Sequence, residues 1–193
     1  MAIELRNICK SYGDKQVLKN VNLTINPGEI TCIMGASGIG KTTLINIIAG
    51  LVKPDAGEIA WHSNTLETSI VFQEDRLLNW ETALSNVLFV TNPASEYTQK
   101  AKQLLTQAGL ADSINKKTTE LSGGMKRRVC ICRALIANYD LLILDEPFKG
   151  LDNETKPVIM TMIKEHVQKD KYVICITHDY SEVEFMHGRL ICL

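Results

Sequence analysis

Apolar and polar positions alternate along residues 2–10 and 17–25, as in half-exposed strands, with Tyr12-Gly13-Asp14 as the turn between them. Residues 29–34 are mostly apolar and follow the turn Pro27-Gly28, which predicts a short strand buried on both faces. Over 42–49 the apolar positions 44, 45, 47 and 48 have the spacing of a buried helix. A second turn, Lys53-Pro54-Asp55-Ala56-Gly57, leads to strands near 58–62 and 69–72, so the first third of the chain reads mostly as sheet.

From about 80 to 138 the period becomes helical, with a break at Asn92-Pro93-Ala94-Ser95 and a helix stop at Gly109. Apolar strands return at 141–144 and 172–176 with helical residues between them, the alternation that builds a parallel sheet. No internal repeat or low-complexity segment interrupts this order. The pattern predicts a mixed α/β fold: a mostly parallel sheet flanked by helices, an antiparallel sheet on the amino-terminal side and an inserted helical lobe at about 76–122. With 193 residues the chain can bury one sizeable core but not two domains of usual size, so 1–193 reads as one domain.

Composition removes several alternatives. The net charge is −1 with both signs interspersed, so no broad field favours nucleic acid or an anionic membrane, and no nucleic-acid partner is expected. The densest basic run, Lys126-Arg127-Arg128, reads as one face of a solvated helix. Cysteines at 9, 32, 130, 132, 175 and 192 never form Cys-x-x-Cys, which predicts buried free thiols in a reducing compartment rather than metal ligands. The start, Met1-Ala2-Ile3-Glu4-Leu5-Arg6, lacks a basic-then-apolar leader, and no apolar run approaches bilayer length. A cytoplasmic protein is expected, and any membrane pore it serves must come from another polypeptide.

The first chemical signal is Gly35-Ala36-Ser37-Gly38-Ile39-Gly40-Lys41-Thr42, placed between the buried strand and the helix. Glycines let successive N–H groups point inward at phosphate oxygens, and the helix aims its positive end at the same place. Lys41 can reach the β- and γ-phosphates, the Thr42 hydroxyl can ligate magnesium, and Thr43 adds a donor toward the α-phosphate. The second signal is Leu141-Leu142-Ile143-Leu144-Asp145-Glu146, which puts two carboxylates at the carboxyl edge of a buried strand, where open α/β sheets bind ligands. Asp145 would hold magnesium and Glu146 would orient or deprotonate the attacking water. A nucleotide kinase or a GTPase could use the same loop, although no Asn-Lys-x-Asp guanine-reading segment is present.

Leu121-Ser122-Gly123-Gly124-Met125 completes an ordered set of landmarks from Tyr12 to His178, and with it the whole chain resembles the nucleotide-binding subunit of an ATP-binding-cassette (ABC) transporter. The resemblance implies a phosphate-loop core of ABC type, ATP and Mg2+ as cofactors, and ATP hydrolysis coupled to transport. It implies that Tyr12 stacks on adenine, that Gln73 senses magnesium and the attacking water, and that His178 contacts the γ-phosphate, while a Tyr12 merely packed at the hairpin remains the alternative. Ser122, Gly123 and Gly124 would clamp the γ-phosphate held by a second copy, so two chains close head to tail over two nucleotides. His62, His166 and His187 match no family position and read as surface or structural.

Two residues depart from the family pattern. Met125 stands where glutamine is usual, which removes a side-chain hydrogen bond across the interface, and Lys149 replaces a common serine in Phe148-Lys149-Gly150-Leu151-Asp152. The chain stops at Leu193, without the carboxyl-terminal extension of some relatives. Asp75-Arg76-Leu77-Leu78-Asn79-Trp80 with Ala83, Leu84 and Val87 reads either as the groove for a permease's coupling helix or as ordinary lobe core. The wording of that segment resembles importers of nitrate, sulfonate, taurine or thiamine-precursor type. The expected partners are a second nucleotide-binding subunit, membrane permease subunits and a separate solute-binding protein, with the chain on the inner face of the cell membrane. A soluble ABC ATPase of an assembly system, such as iron–sulfur assembly, is the other reading.

Overall fold

The computed structural model describes residues 2–61, 66–92 and 95–193. Residues 93 and 94 of the expected helix break, and His62, lie outside the described residues.

Strands β1 (Ile3–Tyr12) and β2 (Lys15–Ile25) form an antiparallel hairpin around Gly13-Asp14, and β4 (Ala56–Ala60) pairs antiparallel with the other edge of β1. The second sheet contains β3 (Ile30–Met34), β5 (Thr68–Val71), β6 (Leu141–Asp145), β7 (Tyr172–Ile176) and β8 (Arg189–Cys192) in the order β5-β6-β7-β3-β8, every pair parallel. Both sheets were expected, and so was the buried character of β3 and β6; β7 is fully buried as well.

The two faces of the parallel sheet feed two cores. Ile33, Ile143, Ile174 and Ile176 point toward α1 (Lys41–Ile48) and the hairpin strands. Their neighbours Cys32, Met34, Leu144, Val173 and Cys175 point toward α4 (Gly123–Ile136) and α5 (Thr155–Glu165). This two-residue alternation through continuous apolar runs places helices on both sides. Helices α2 (Ala83–Leu88) and α3 (Ser95–Gln107) extend the second core, and α6 (Tyr180–Met186) follows β7. Gly109, with φ +70°, ends α3 in the left-handed conformation suited to a helix stop.

Three sequence readings change. Arg127 is 5 % exposed and Arg128 donates from Nη1 to the Ala108 carbonyl at 2.7 Å, so the basic run is not a solvated face. Helical spacing turns two successive arginines to different loops whose carbonyls need donors. Of the six cysteines, Cys32, Cys130, Cys132 and Cys175 are buried, whereas Cys9 is partly exposed and Cys192 is exposed on an edge strand. Burial pushes the Cys130 and Cys132 thiols up to about 12, as inert core thiols require. Ala83 and Val87 are fully buried, which assigns them to core packing, whereas Trp80 is 71 % exposed. No helix among the described residues is long and apolar enough to cross a membrane.

Candidate functional site

The carboxyl ends of four parallel strands deliver one cleft. After β3 the chain enters the glycine loop and α1; after β5 it reaches Gln73; β6 ends in Asp145 and Glu146; β7 leads to Thr177 and His178. Ser37, Gly38, Gly40, Lys41, Thr42, Thr43, Gln73, Asp145, Glu146 and His178 all line this cleft.

Gly40 takes φ +115° directly before α1, and a Cβ there would lie 2.8 Å from Leu18 Cδ2 and 2.9 Å from Val17 Cγ1. The torsion strains any other residue, and a side chain would also push the Val17 and Leu18 methyls aside, so the loop closes tightly over the helix start. Lys41 Nζ donates to the carbonyls of Gly35 at 2.8 Å and Ala36 at 2.9 Å, which holds the buried ammonium inside its own loop. An anion arriving at the loop meets a cation already positioned.

Thr42 Oγ1 donates to Asp145 Oδ2 at 3.4 Å. Asp145 is 3 % exposed, and its carboxyl is raised above the usual range by burial first and by the Glu146 charge second, with the Thr42 bond opposing. A buried carboxylate beside a hydroxyl, its charge disfavoured, is a donor set that a hard divalent cation fits.

Glu146 has φ +49°, a left-handed conformation uncommon outside glycine, fixed by its N–H donating to the Ile176 carbonyl at 3.1 Å. Its Oε1 lies 2.9 Å from His178 Nε2, while Oε2 accepts from Gln73 Nε2 at 3.3 Å and from Lys149 Nζ at 3.1 Å. Burial raises this carboxyl, but Lys149 and His178 outweigh it and leave the group below its ordinary value. Glu146 is therefore a fixed, ionised acceptor at the centre of the cleft.

Not every expected residue joins it. Tyr12, at the end of β1, is 52 % exposed and lies under Lys10 Nζ at 5.6 Å from the ring centroid, outside the cleft lining. Ile39 is exposed on the rim, and Gly35 and Ala36 contribute their carbonyls to Lys41. Ser122, Gly123 and Gly124 sit at the start of α4, where Ser122 Oγ caps the helix by accepting from the Met125 N–H at 3.3 Å, and none of the three lines the cleft. Val17 lines the cleft without having been singled out, because a valine in an alternating strand carries no local mark of its spatial neighbours.

Residues 18–149 match the family model described as ABC transporter. The chain belongs to the ABC transporter family. Over its whole length it is 41% identical to the aliphatic sulfonates import ATP-binding protein SsuB of Corynebacterium glutamicum, covering 80% of that protein. It is 38% identical to the bicarbonate transport ATP-binding protein CmpD of Synechocystis, across 99% of this chain and 73% of that one. The dimeric structure of a bacterial ABC transporter cassette superposes with a TM-score of 0.86 at 36% identity, covering 99% of this chain and 94% of that chain.

Both departures of this ABC protein from the family pattern have a place in the fold. Met125 packs against the helical core, and only its backbone meets Ser122. Lys149 reaches back from the loop after β6 to the Glu146 carboxylate, a contact that sequence reading did not anticipate. The lysine was visible as a departure, but its target depended on the left-handed turn at Glu146.

Proposed function

We propose that this chain is the ATP-binding and ATP-hydrolysing subunit of an ABC importer, a cytoplasmic ATPase that powers movement of a small solute through a separate membrane permease. The observation that carries this reading is the convergence of Gln73, His178 and Lys149 on the Glu146 carboxylate, beside Lys41 and the Thr42–Asp145 pair.

Lys41 and the N–H groups of 37–43 hold the triphosphate, and Tyr12 offers an exposed ring for adenine. Thr42, Asp145 and Gln73 would hold Mg2+, which would supply charge neutralisation for the phosphates. Glu146, ionised and fixed, accepts a proton from the attacking water, and His178 orients the carboxylate from its other oxygen.

Ser122 and Gly123 are exposed and Gly124 is half-buried at the start of a 14-residue helix, and all three lie outside the cleft of their own chain. A second copy completes each site with them, so two ATP molecules close a head-to-tail dimer and hydrolysis reopens it. Residues of about 76–122 form the lobe that meets the permease, with Trp80 and Phe89 exposed on it. A separate solute-binding protein delivers the cargo, and the complex places this chain on the inner face of the cell membrane. Relatives named for sulfonates and for bicarbonate are about equally similar, at 41% and 38% identity, so the ATPase does not record which solute is carried.

Glu146→Gln tests the base assignment. It should keep ATP affinity, slow hydrolysis by on the order of a hundredfold or more, and accumulate an ATP-dependent dimer on size exclusion. Ordinary turnover by that variant would reject the role of Glu146.

A further inference from the structure

Arg127 is buried to 5 % exposure, yet no part of it enters the cleft. Its Nη1 donates to the Phe72 carbonyl at 2.6 Å, its Nη2 donates to the Gln73 carbonyl, and its Nε lies 3.4 Å from Asp75 Oδ1. About one and two turns further along the same face of α4, Cys130 Sγ donates to the Asp75 carbonyl at 2.7 Å, and Arg133 Nη1 donates to the Arg76 carbonyl at 3.0 Å. Positions 127, 130 and 133 are spaced by three and share a helix face, so one side of α4 carries the loop that contains Gln73.

From this geometry we infer that Arg127 is a positioning residue that fixes the Gln73 backbone to α4 and links Ser122 mechanically to the cleft. The guanidinium suits the task, because its planar fork binds two successive carbonyls at once, which a single ammonium cannot do with the same rigidity. Ser122 caps the first turn of α4, five residues before Arg127, and at the far end of the chain of contacts Gln73 Nε2 lies 3.3 Å from Glu146. A shift of α4 when its start engages a nucleotide on another copy therefore moves the Gln73 backbone, and with it a donor to the carboxylate. The inference rests on the proposed function for the roles of Ser122, Gln73 and Glu146. It adds the residue that joins them.

A double-mutant cycle tests it in the full-length protein, with kcat, ATP affinity and thermal unfolding measured for Arg127→Met, Arg127→Lys, Gln73→Ala and the combinations. Arg127→Met should lower kcat by on the order of tenfold through misplaced Gln73, with ATP affinity changed by less than about twofold. Introduced into Gln73→Ala, the same change should cost nothing further, because the group it positions is already gone. Arg127→Lys keeps a buried cation but not the fork, and should show the same non-additivity, which carries the test if the methionine variant does not fold. Wild-type kcat in the lysine variant, or an undiminished loss on the Gln73→Ala background, would overturn the inference. Normal turnover in Gln73→Ala alone would instead remove the proposed role of Gln73, and the inference with it.

Discussion

Lys149 Nζ lies 3.1 Å from Oε2 of Glu146, the same oxygen that accepts from Gln73. A carboxylate neutralised by an ammonium is a weaker base than one held by neutral donors alone. Lys149→Ser should raise turnover at neutral pH by about two- to fivefold, since a half-exposed ion pair supplies less than roughly 1 kcal/mol. ATP affinity should stay unchanged. Steady-state hydrolysis of the two proteins checks this, and a slower serine variant would show that the lysine supports the base instead.

Asn86 is fully buried, and its side chain satisfies the backbone on both sides of a tight loop. Its Oδ1 accepts from the Leu78 N–H at 2.8 Å, and its Nδ2 donates to the carbonyls of Leu78 at 3.1 Å and Thr82 at 3.0 Å. Asn86→Ala strands those groups, and should cost about 2–4 kcal/mol of stability in urea unfolding. Because this loop presents Trp80, binding to permease should weaken in the same variant.

Asp179 caps α6, and its carboxyl is lowered to about 2 by the Ser181 hydroxyl and then by Lys156, whose Nζ is 2.9 Å away. The folded value lies below the ordinary 3.8, so the stabilisation is present above about pH 4 and is lost as pH falls toward 2. Asp179→Asn should therefore unfold with a shallower dependence on acid across that window, measured by circular dichroism at fixed temperature.

The six thiols should divide by position. At pH 8 an alkylating reagent should modify exposed Cys192 within minutes, while Cys130 and Cys132, pushed up to about 12 by burial, react only after unfolding. Mass spectrometry of the native and denatured protein gives the comparison.

Much of this site could be read in the sequence because its chemistry is local. The glycine loop, Lys41 and Thr42 are consecutive, and Asp145-Glu146 ends an apolar run whose burial is visible in its residue types. The period-two and period-3.6 patterns likewise gave the two sheets and the helix that follows the loop. What escaped depends on separation along the chain. Arg127 meets carbonyls 54 and 55 residues away, and a basic triplet carries the same local signature whether it faces water or a loop. Lys149 is only three residues from Glu146, but the contact follows from a left-handed φ that an ordinary glutamate does not announce. Val17 was hidden for the opposite reason, since a valine in a strand is unremarkable until Gly40 lies beneath it.

The composite site is tested most directly by mixing two disabled proteins, Lys41→Ala and Ser122→Arg, and measuring ATP hydrolysis. Each alone should be almost inactive, because every site in its dimer lacks either the lysine or the serine. In an equal mixture, half the dimers pair one of each and contain one intact site, so activity should recover to about a quarter of wild type. A mixture that stays as inactive as its components, or a Ser122→Arg protein that hydrolyses ATP at the full rate by itself, would contradict a site shared between two chains.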